Sequence, residues 1–365
     1  MDTLKIAIVG AKGIPSTYGG VEKHAEELST RLAARGHSVV VYCRPRYVDG
    51  NSDYMGVKRI IIPTVMQKHT EMIVHTGLSI LDADTRGLDI IHFQSVDPAI
   101  LSAFAKRKAR VVVTSHGKAY RVEKWGKLAK SFSMLAERFY ARIPQTRIAV
   151  SKTLAEYYRR EYGCDVSYIP NGVRLHSGVG SAALARLSLE PRQYILFVGR
   201  LVKSKGCHLL LDAYARLKTD KQLVVVGDVG YRSAYDRKLR SRESETVRFL
   251  GFRFGQDLLE LMCNCFMFVQ PSESEGLSMS LLEALSFGRP VVYSDIPENT
   301  EVAEGCGLSF RTGDSRDLAE RMALVLENPA LGERLGSVGR KKAAFEYDWE
   351  RIVDNTEQVY VSLLK

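Results

Sequence analysis

The chain has 365 residues, with 52 Lys+Arg against 42 Asp+Glu and a formal net charge of +10. That length suits two domains, and an apolar share of 45% with 26% charged residues excludes a disordered chain. No window approaches the ~18 apolar residues of a membrane-spanning helix, and the six Cys include no Cys-x-x-Cys pair, which argues against a disulfide framework or a zinc site. The segment from Met1 to Val9 lacks the apolar stretch and cleavage site of a secretory signal, so a soluble cytosolic protein is expected.

Short apolar, β-branched runs recur along the chain, each followed by a segment of helical period. In the first half they are Lys5–Val9, Ser38–Cys43, Lys58–Ile62, Asp89–Phe93, Arg110–Thr114, Arg147–Val150 and Val166–Ile169. The second half supplies Tyr194–Val198, Gln222–Val226, Val247–Leu250, Phe266–Val269, Pro290–Tyr293 and the weaker Gly307–Phe310. Fully apolar runs read as strands buried on both faces, as parallel sheets require. Their alternation with helices predicts an α/β fold of two Rossmann-like, doubly wound parallel-sheet domains, with a cleft between them as the natural ligand site. The expected boundaries are residues 1–178 for a basic first domain and 179–346 for the second. Residues 347–365 read as one long helix that either stays with the second domain or crosses back to the first.

The charge is uneven. Residues 1–180 carry 27 Lys+Arg against 16 Asp+Glu, and residues 181–365 carry 25 against 26. A one-sided basic surface points to an anionic partner: nucleic acid, a membrane leaflet or a phosphorylated substrate. The nucleic-acid reading has only the charge behind it, because no reader motif accompanies it.

After the first apolar run comes a glycine-rich loop, Gly10 to Gly20, opening onto a helical pattern that starts at Val21. Such a loop can cradle phosphate, because free amides and the helix dipole both face the ligand. The spacing is not G-x-G-x-x-G, and Arg44 rather than an acidic residue follows the second run, so a nicotinamide dinucleotide is disfavoured. Gly10 and Gly13 read as turn formers, and Gly19-Gly20 as room for a ligand to approach the backbone. In the second domain Gly199-Arg200 and Lys205-Gly206 flank the carboxyl end of the first run, where two cations suit a diphosphate. Farther on, Glu275 falls in a loop near Gly276, Leu277 and Ser278, whose amides could meet phosphate oxygens. Glu283 interrupts Leu281-Leu282-Ala284-Leu285, about two turns into a helix expected to be well buried. A carboxylate there is costly unless hydroxyl donors reach it.

These residues together resemble the retaining glycosyltransferases of family 4, with two Rossmann-like domains in the GT-B fold. The resemblance rests on Gly19-Gly20, Gly199-Arg200…Lys205-Gly206, the E-x(7)-E pair Glu275 and Glu283, His116-Gly117, Ala149-Val150-Ser151 and Ile169-Pro170-Asn171-Gly172-Val173, all in family order. The block from Gly13 to Leu28 looks like the bacterial capsule and exopolysaccharide branch, which includes rhamnosyl- and glucosyltransferases. The resemblance implies transfer from a nucleotide-diphosphate sugar to a lipid-linked saccharide or glycan acceptor, without a metal or other cofactor. Arg200 and Lys205 would neutralise the donor diphosphate, Glu283 would hold the ribose and Glu275 the sugar hydroxyls. Gly19-Gly20 would close over the phosphates, and His116 would stand beside the anomeric carbon and the acceptor. One departure is Gly227-Asp228-Val229-Gly230, where the family often has Gly-Asp-Gly-Pro. A sugar-nucleotide epimerase of the same architecture is the alternative.

Between Lys118 and Arg142 a helical wheel gives an apolar stripe of Trp125, Leu128, Phe132, Leu135, Phe139 and Ile143, read as core. Beside it runs a basic arc of Lys124, Lys127, Lys130, Arg138 and Arg142, with Lys118 and Arg121 preceding it. Such residues are drawn to an anionic leaflet by ~1 kcal/mol each. The expected location is therefore the cytoplasmic face of a membrane, held peripherally.

Overall fold

The computed structural model describes residues 3–16, 19–50, 52–65, 70–105, 109–117, 127–229 and 233–365, with backbone only for 127–130. The chain divides into two compact units, one of residues 1–172 with 349–365 and one of residues 173–348. The division falls six residues before the boundary read from the small-residue stretch at 178. The C-terminal helix Trp349–Leu364 belongs to the first unit.

The first unit is built on seven parallel strands: β1 (Lys5–Val9), β2 (Ser38–Cys43), β3 (Lys58–Ile61), β4 (Ile90–Phe93), β5 (Arg110–Ser115), β6 (Thr146–Ala149) and β7 (Ser167–Tyr168). Their order is β3-β2-β1-β4-β5-β6-β7. The second unit has β8 (Tyr194–Val198), β9 (Gln222–Val226), β10 (Val247–Gly251), β11 (Met267–Gln270), β12 (Val291–Ser294) and β13 (Leu308–Phe310), in the order β10-β9-β8-β11-β12-β13. Each strand lies within a residue of its apolar run, because strands covered by helices on both faces leave no place for polar alternation. Ile6, Ala7, Ile8 and Val9, for instance, are all fully buried.

In each sheet the order reverses once, between β1 and β4 and between β8 and β11. Connections on the two sides of such a point run to opposite faces and leave a crevice at the strands' carboxyl ends, where ligands bind in open α/β sheets. The Gly10–Gly20 loop follows β1 and Gln94 follows β4. Arg200 and Lys205 follow β8, and Glu275 follows β11. The switch points thus gather the residues singled out from the sequence.

The C-terminal helix lies along the helix Gly20–Ala34 and is tied to it by charge. Arg31 reaches Glu350 at 2.9 Å, and Arg35 reaches Glu350, Asp354 and Glu357 at 2.8, 2.6 and 2.9 Å. His37 accepts the Leu4 N–H at Nδ1, so its Nε2–H donates to Glu357, 3.1 Å away. Beneath this network Trp349, Ile352, Val353 and Tyr360 are buried. A Cβ on Gly172 would stand 2.5 Å from the Trp349 ring, so the end of the 1–172 segment and the start of the returning one are packed together.

The helix Lys127–Arg142 corrects the expected core stripe. Among its described side chains the buried ones are Ser133, Ala136, Glu137, Tyr140 and Ala141. Of the expected stripe, Phe132, Phe139 and Ile143 are half-buried, Leu135 is 43% exposed and Trp125 lies outside the described residues, while Met134 is 50% exposed. The reason is polar. Tyr157 and Tyr162 donate to the Glu137 carboxylate at 2.9 and 2.8 Å, and the Tyr140 hydroxyl donates to the Ile148 carbonyl at 2.9 Å. These bonds turn the Glu137 face inward and leave Met134, Leu135, Arg138 and Arg142 outside. Lys118, Arg121 and Lys124 lie outside the described residues. Lys127 and Lys130 are in the first turn of the helix, where only backbone is described.

Candidate active site

In the second unit the β8 loop and the β11 loop are interlocked. Gly206 has φ 69°, and a Cβ there would come within 1.9 Å of the Pro271 carbonyl oxygen, so no other residue fits. The adjoining Lys205 extends its ammonium to both oxygens of Glu275, at 2.6 Å each. The Glu275 side chain is 6% exposed and that of Lys205 19%. Two residues read separately, one for diphosphate and one for sugar hydroxyls, are therefore an ion pair. A third residue that sequence reasoning missed, Gln270 at the end of β11, donates from Nε2 to Glu275 Oε1 at 2.9 Å. Its signal was a lone polar residue closing the apolar run Met267-Phe268-Val269.

Arg200 is exposed, and among the described residues no ion pair is recorded for it. Gly199 has a packing role: its carbonyl oxygen would lie 1.9 Å from a Cβ on Gly227, whose φ is 132°. Asp228 is held by Arg240 at 3.0 Å and by the Val229 N–H at 2.8 Å. Ser278 caps the helix Met279–Ser286, its Oγ accepting from the Leu281 N–H at 3.3 Å. Leu277 and Ser278 are buried and Gly276 is half-buried at this helix start. Since the helix begins at Met279, Glu283 is its fifth residue, one turn in rather than two. It is half-buried while Leu281, Leu282, Ala284 and Leu285 are buried, so the expectation of a deeply buried carboxylate is corrected. Glu283 stands at the margin of the packed face.

In the first unit the glycine loop is anchored by carboxylates of the helix it opens. Glu26 accepts from the Ser16 N–H at 2.7 Å and from the Tyr54 hydroxyl at 2.9 Å, and Glu22 accepts from the Lys12 N–H at 3.4 Å. A Cβ on Gly19 would meet a Glu22 carboxylate oxygen at 3.1 Å. Gly19 thus has a packing reason as well as the ligand reason read from sequence. Gly10, with φ 95°, lies against Pro98, and Gly13 lies against Val48, in keeping with turn formers. Gly20 is the first residue of the helix.

His116 follows β5 and is half-buried. Its Nε2 lies 3.1 Å from Gln94 Oε1, so Nε2 carries the proton. The His24 ring meets it edge-on with centroids 4.9 Å apart. His24 is in turn bonded to Asn171 at 2.9 Å and packed on Trp349. His92, near the end of β4, joins the Tyr360 hydroxyl at 2.6 Å to that of Thr114 at 2.7 Å. Burial lowers the pKa of His24 to about 4, against the pull of Asn171 and Glu27, and that of His92 to about 3. Burial, then His24 and His92, hold His116 well below the ordinary value of 6.5. The cluster is neutral, and it donates and accepts hydrogen bonds without presenting positive charge. Sequence reasoning found His116 but missed His24, His92, Gln94 and Tyr360, although a histidine inside the apolar run Ile90-Ile91-His92-Phe93 is itself a signal.

Comparison with known proteins gives the same division. A family model described as Glyco_transf_4, Glycosyltransferase Family 4, matches residues 18–177, and one described as Glycosyl transferases group 1 matches residues 185–342. The chain is 26% identical to a glycogen synthase of Mycobacterium tuberculosis over 98% of this chain and 95% of that one. It is 26% identical to O-antigen chain mannosyltransferase C of Escherichia coli over 96% of each. Among solved structures, sucrose-phosphate synthase from Thermosynechococcus elongatus superposes with a TM-score of 0.85, at 22% identity and 98% coverage of both chains. HepE of Anabaena in complex with UDP-glucose gives 0.81, at 19% identity, covering 98% of this chain and 100% of that one. With one family model on each unit and two switch-point sheets of matching architecture, the chain belongs to the glycosyltransferases of GT-B fold, its first unit of the family 4 type and its second of group 1.

Proposed function

We propose that this glycosyltransferase moves a sugar, with retention of configuration and without a metal or other cofactor, from a nucleotide-diphosphate sugar to a lipid-linked saccharide or glycan in bacterial surface polysaccharide synthesis. The observation that carries the reading is the Lys205–Glu275 pair beside the exposed Arg200, at the switch point of the second sheet. Anions bind where cations converge at strand ends, and a carboxylate beside them serves hydroxyls. Lys205 and Arg200 neutralise the diphosphate as it leaves, the amides of Gly276, Leu277 and Ser278 take phosphate oxygens, Glu275 orients the sugar and Glu283 the ribose. Gly19-Gly20 leave the backbone open to the phosphates. His116, neutral, meets the reacting sugar and the acceptor hydroxyl. In front-face attack the bond from the anomeric carbon to the diphosphate breaks as the acceptor oxygen bonds the same face, and the acceptor proton passes to a departing phosphate oxygen.

The named relatives act with glucosyl or mannosyl groups, which favours a hexosyl over a rhamnosyl donor. HepE was crystallised with UDP-glucose, and this supports a nucleotide sugar as donor. The epimerase alternative is not favoured, since both family models are of glycosyltransferases. No helix among the described residues is long and apolar enough to cross a membrane. The exposed Met134, Leu135, Arg138 and Arg142 on one helix combine apolar and basic character, as a peripheral helix on an anionic leaflet requires. Nucleic acid is not proposed as a partner.

A thermal-shift panel of UDP-, GDP-, dTDP- and ADP-sugars tests the reading, because a bound donor raises the melting temperature by mass action. One of them is expected to stabilise the protein and to be transferred in the presence of chelator with the anomeric configuration kept. Inversion, or a reaction that chelator abolishes and magnesium restores, overturns the mechanism. Epimerisation with no acceptor present overturns the reaction class.

A further inference from the structure

Glu275 has two carboxylate oxygens, and their partners differ. Oε1 accepts from Lys205 at 2.6 Å and from Gln270 at 2.9 Å, whereas among the described residues Oε2 accepts from Lys205 alone, also at 2.6 Å. A lysine is a point charge on a flexible stem and does not by itself fix the plane of a carboxylate. Gln270 supplies that direction. Its amide faces only one way, because an ionised carboxylate has no proton to give and must be met by the NH2 end. The same Nε2 reaches Ser272 Oγ at 3.2 Å, and the Oε1 end accepts from Ser280 at 3.3 Å. Behind Ser272, Asn299 donates to its hydroxyl at 3.2 Å and to Ser294 at 3.0 Å. Gln270, Ser272, Ser294 and Asn299 are all buried to within about 1%. Such a chain of buried polar groups restrains its members, with Asn299 Oδ1 the one atom of it left without a partner among the described residues.

We propose that Gln270 is a positioning residue for the donor sugar. Its amide fills the remaining acceptor capacity of Glu275 Oε1 and so leaves Oε2 as the atom that accepts a sugar hydroxyl. The proposal rests on the reading of Glu275 as the sugar-binding carboxylate. It explains why a glutamine ends a strand whose other residues are apolar. It also separates two functions that the ion pair alone would merge: Lys205 holds charge, and Gln270 holds direction. The sugar should therefore feel Gln270 while the diphosphate does not.

The test is calorimetric titration of the full chain with UDP-glucose and UDP, and with GDP-mannose and GDP. Gln270→Met keeps the shape of the side chain and removes both ends of its hydrogen bonding. For whichever pair the unaltered protein binds, this variant is expected to weaken the nucleotide sugar about tenfold and the bare nucleotide within twofold. Glu275→Gln with Gln270→Met should be no weaker than Glu275→Gln alone, since both act on one contact. Equal weakening of sugar and bare nucleotide, or full additivity with Glu275→Gln, overturns the proposal while leaving the donor site standing. Failure of the unaltered protein to bind any of the four ligands or any dTDP- or ADP-sugar of the thermal-shift panel overturns the donor-site reading and this proposal together. Should Gln270→Met not fold, Ser280→Ala removes the donor to the Oε1 end of the amide from a half-buried position, together with a 3.3 Å contact to the Ser278 hydroxyl. A three- to fivefold loss confined to the nucleotide sugar is then expected, and no change overturns the proposal.

Discussion

In the second unit the group facing the proposed leaving group is a lysine closed on a carboxylate; in the first, the residue proposed at the reacting carbon is an imidazole flanked by two more. The bulk charge runs the other way. The first unit carries 28 Lys+Arg against 19 Asp+Glu and the second 24 against 23, yet the local cations lie in the nearly neutral unit and the neutral cluster lies in the basic one. Net charge therefore says little about site chemistry. It describes what a surface attracts from a distance, whereas burial and pairing decide what a site can do at contact. The basic excess belongs to exposed residues such as Arg138 and Arg142, remote in character from the histidines that burial keeps uncharged.

Four measurements can break or sharpen that contrast. Lys205→Ala should cost the most, about a hundred- to a thousandfold in kcat, because a charge aimed at a developing anion is lost. It also strips Glu275 of its ion-pair partner, so folding must be checked by circular dichroism; an active, folded variant would remove the donor-site assignment. His116→Asn should lower kcat less, about ten- to a hundredfold, with donor affinity kept. Because its pKa lies well below 6.5, kcat/KM should show no inflection near pH 6.5 from this group. An inflection there that disappears in His116→Asn would mean that the histidine works as a charged acid.

The third measurement is the pH dependence of stability. His24 and His92 have folded-state pKa values lowered to about 4 and about 3, whereas the unfolded chain binds their protons near 6.5. Their contribution is therefore complete above pH 6.5 and is lost as pH falls towards 4 for His24 and towards 3 for His92, at up to ~1.4 kcal/mol per pH unit for each histidine. Urea midpoints should fall between pH 7 and 5, and less so in His24→Asn; a midpoint unchanged by acid contradicts a neutral buried cluster. The smallest effect is Glu350→Ala. It removes exposed pairs to Arg31 and Arg35 and should cost about 1 kcal/mol or less, shrinking further in 0.5 M salt.

The sheets were legible because each strand is a short apolar run between helices, and so were the residues that stand in family order at strand ends. Two kinds of residue were harder to read. Gln94, His24 and His92 act through partners far away in sequence: Gln94 with His116, His24 with Asn171, and His92 with Tyr360, while Gln270 meets Glu275 across a loop that carries no repeating pattern. A lone polar residue in an apolar run announces that a partner exists without naming it. The helix Lys127–Arg142 failed for a related reason. Its inward face is chosen by two tyrosines bonding Glu137, and periodicity prefers phenylalanine and leucine to glutamate when it assigns a core. Glu275 and Lys205 were found separately, but their contact depends on Gly206 fitting against Pro271, which no spacing rule contains.

The packing of Gly172 on Trp349 has a topological consequence. The first unit gives up its chain at residue 172 and takes it back at 349, and these two ends are neighbours. On the other side of the junction Val173 and Asp348 form a parallel bridge, and the Val173 N–H donates to the Tyr347 carbonyl at 2.7 Å. The second unit is therefore a guest inserted into a host fold through a stem closed by that single bridge. A short glycine-serine link from 172 to 349 would close the host on itself without stretching. The guest, cut at the same stem, would have adjoining termini, the arrangement that lets inserted domains be exchanged between hosts.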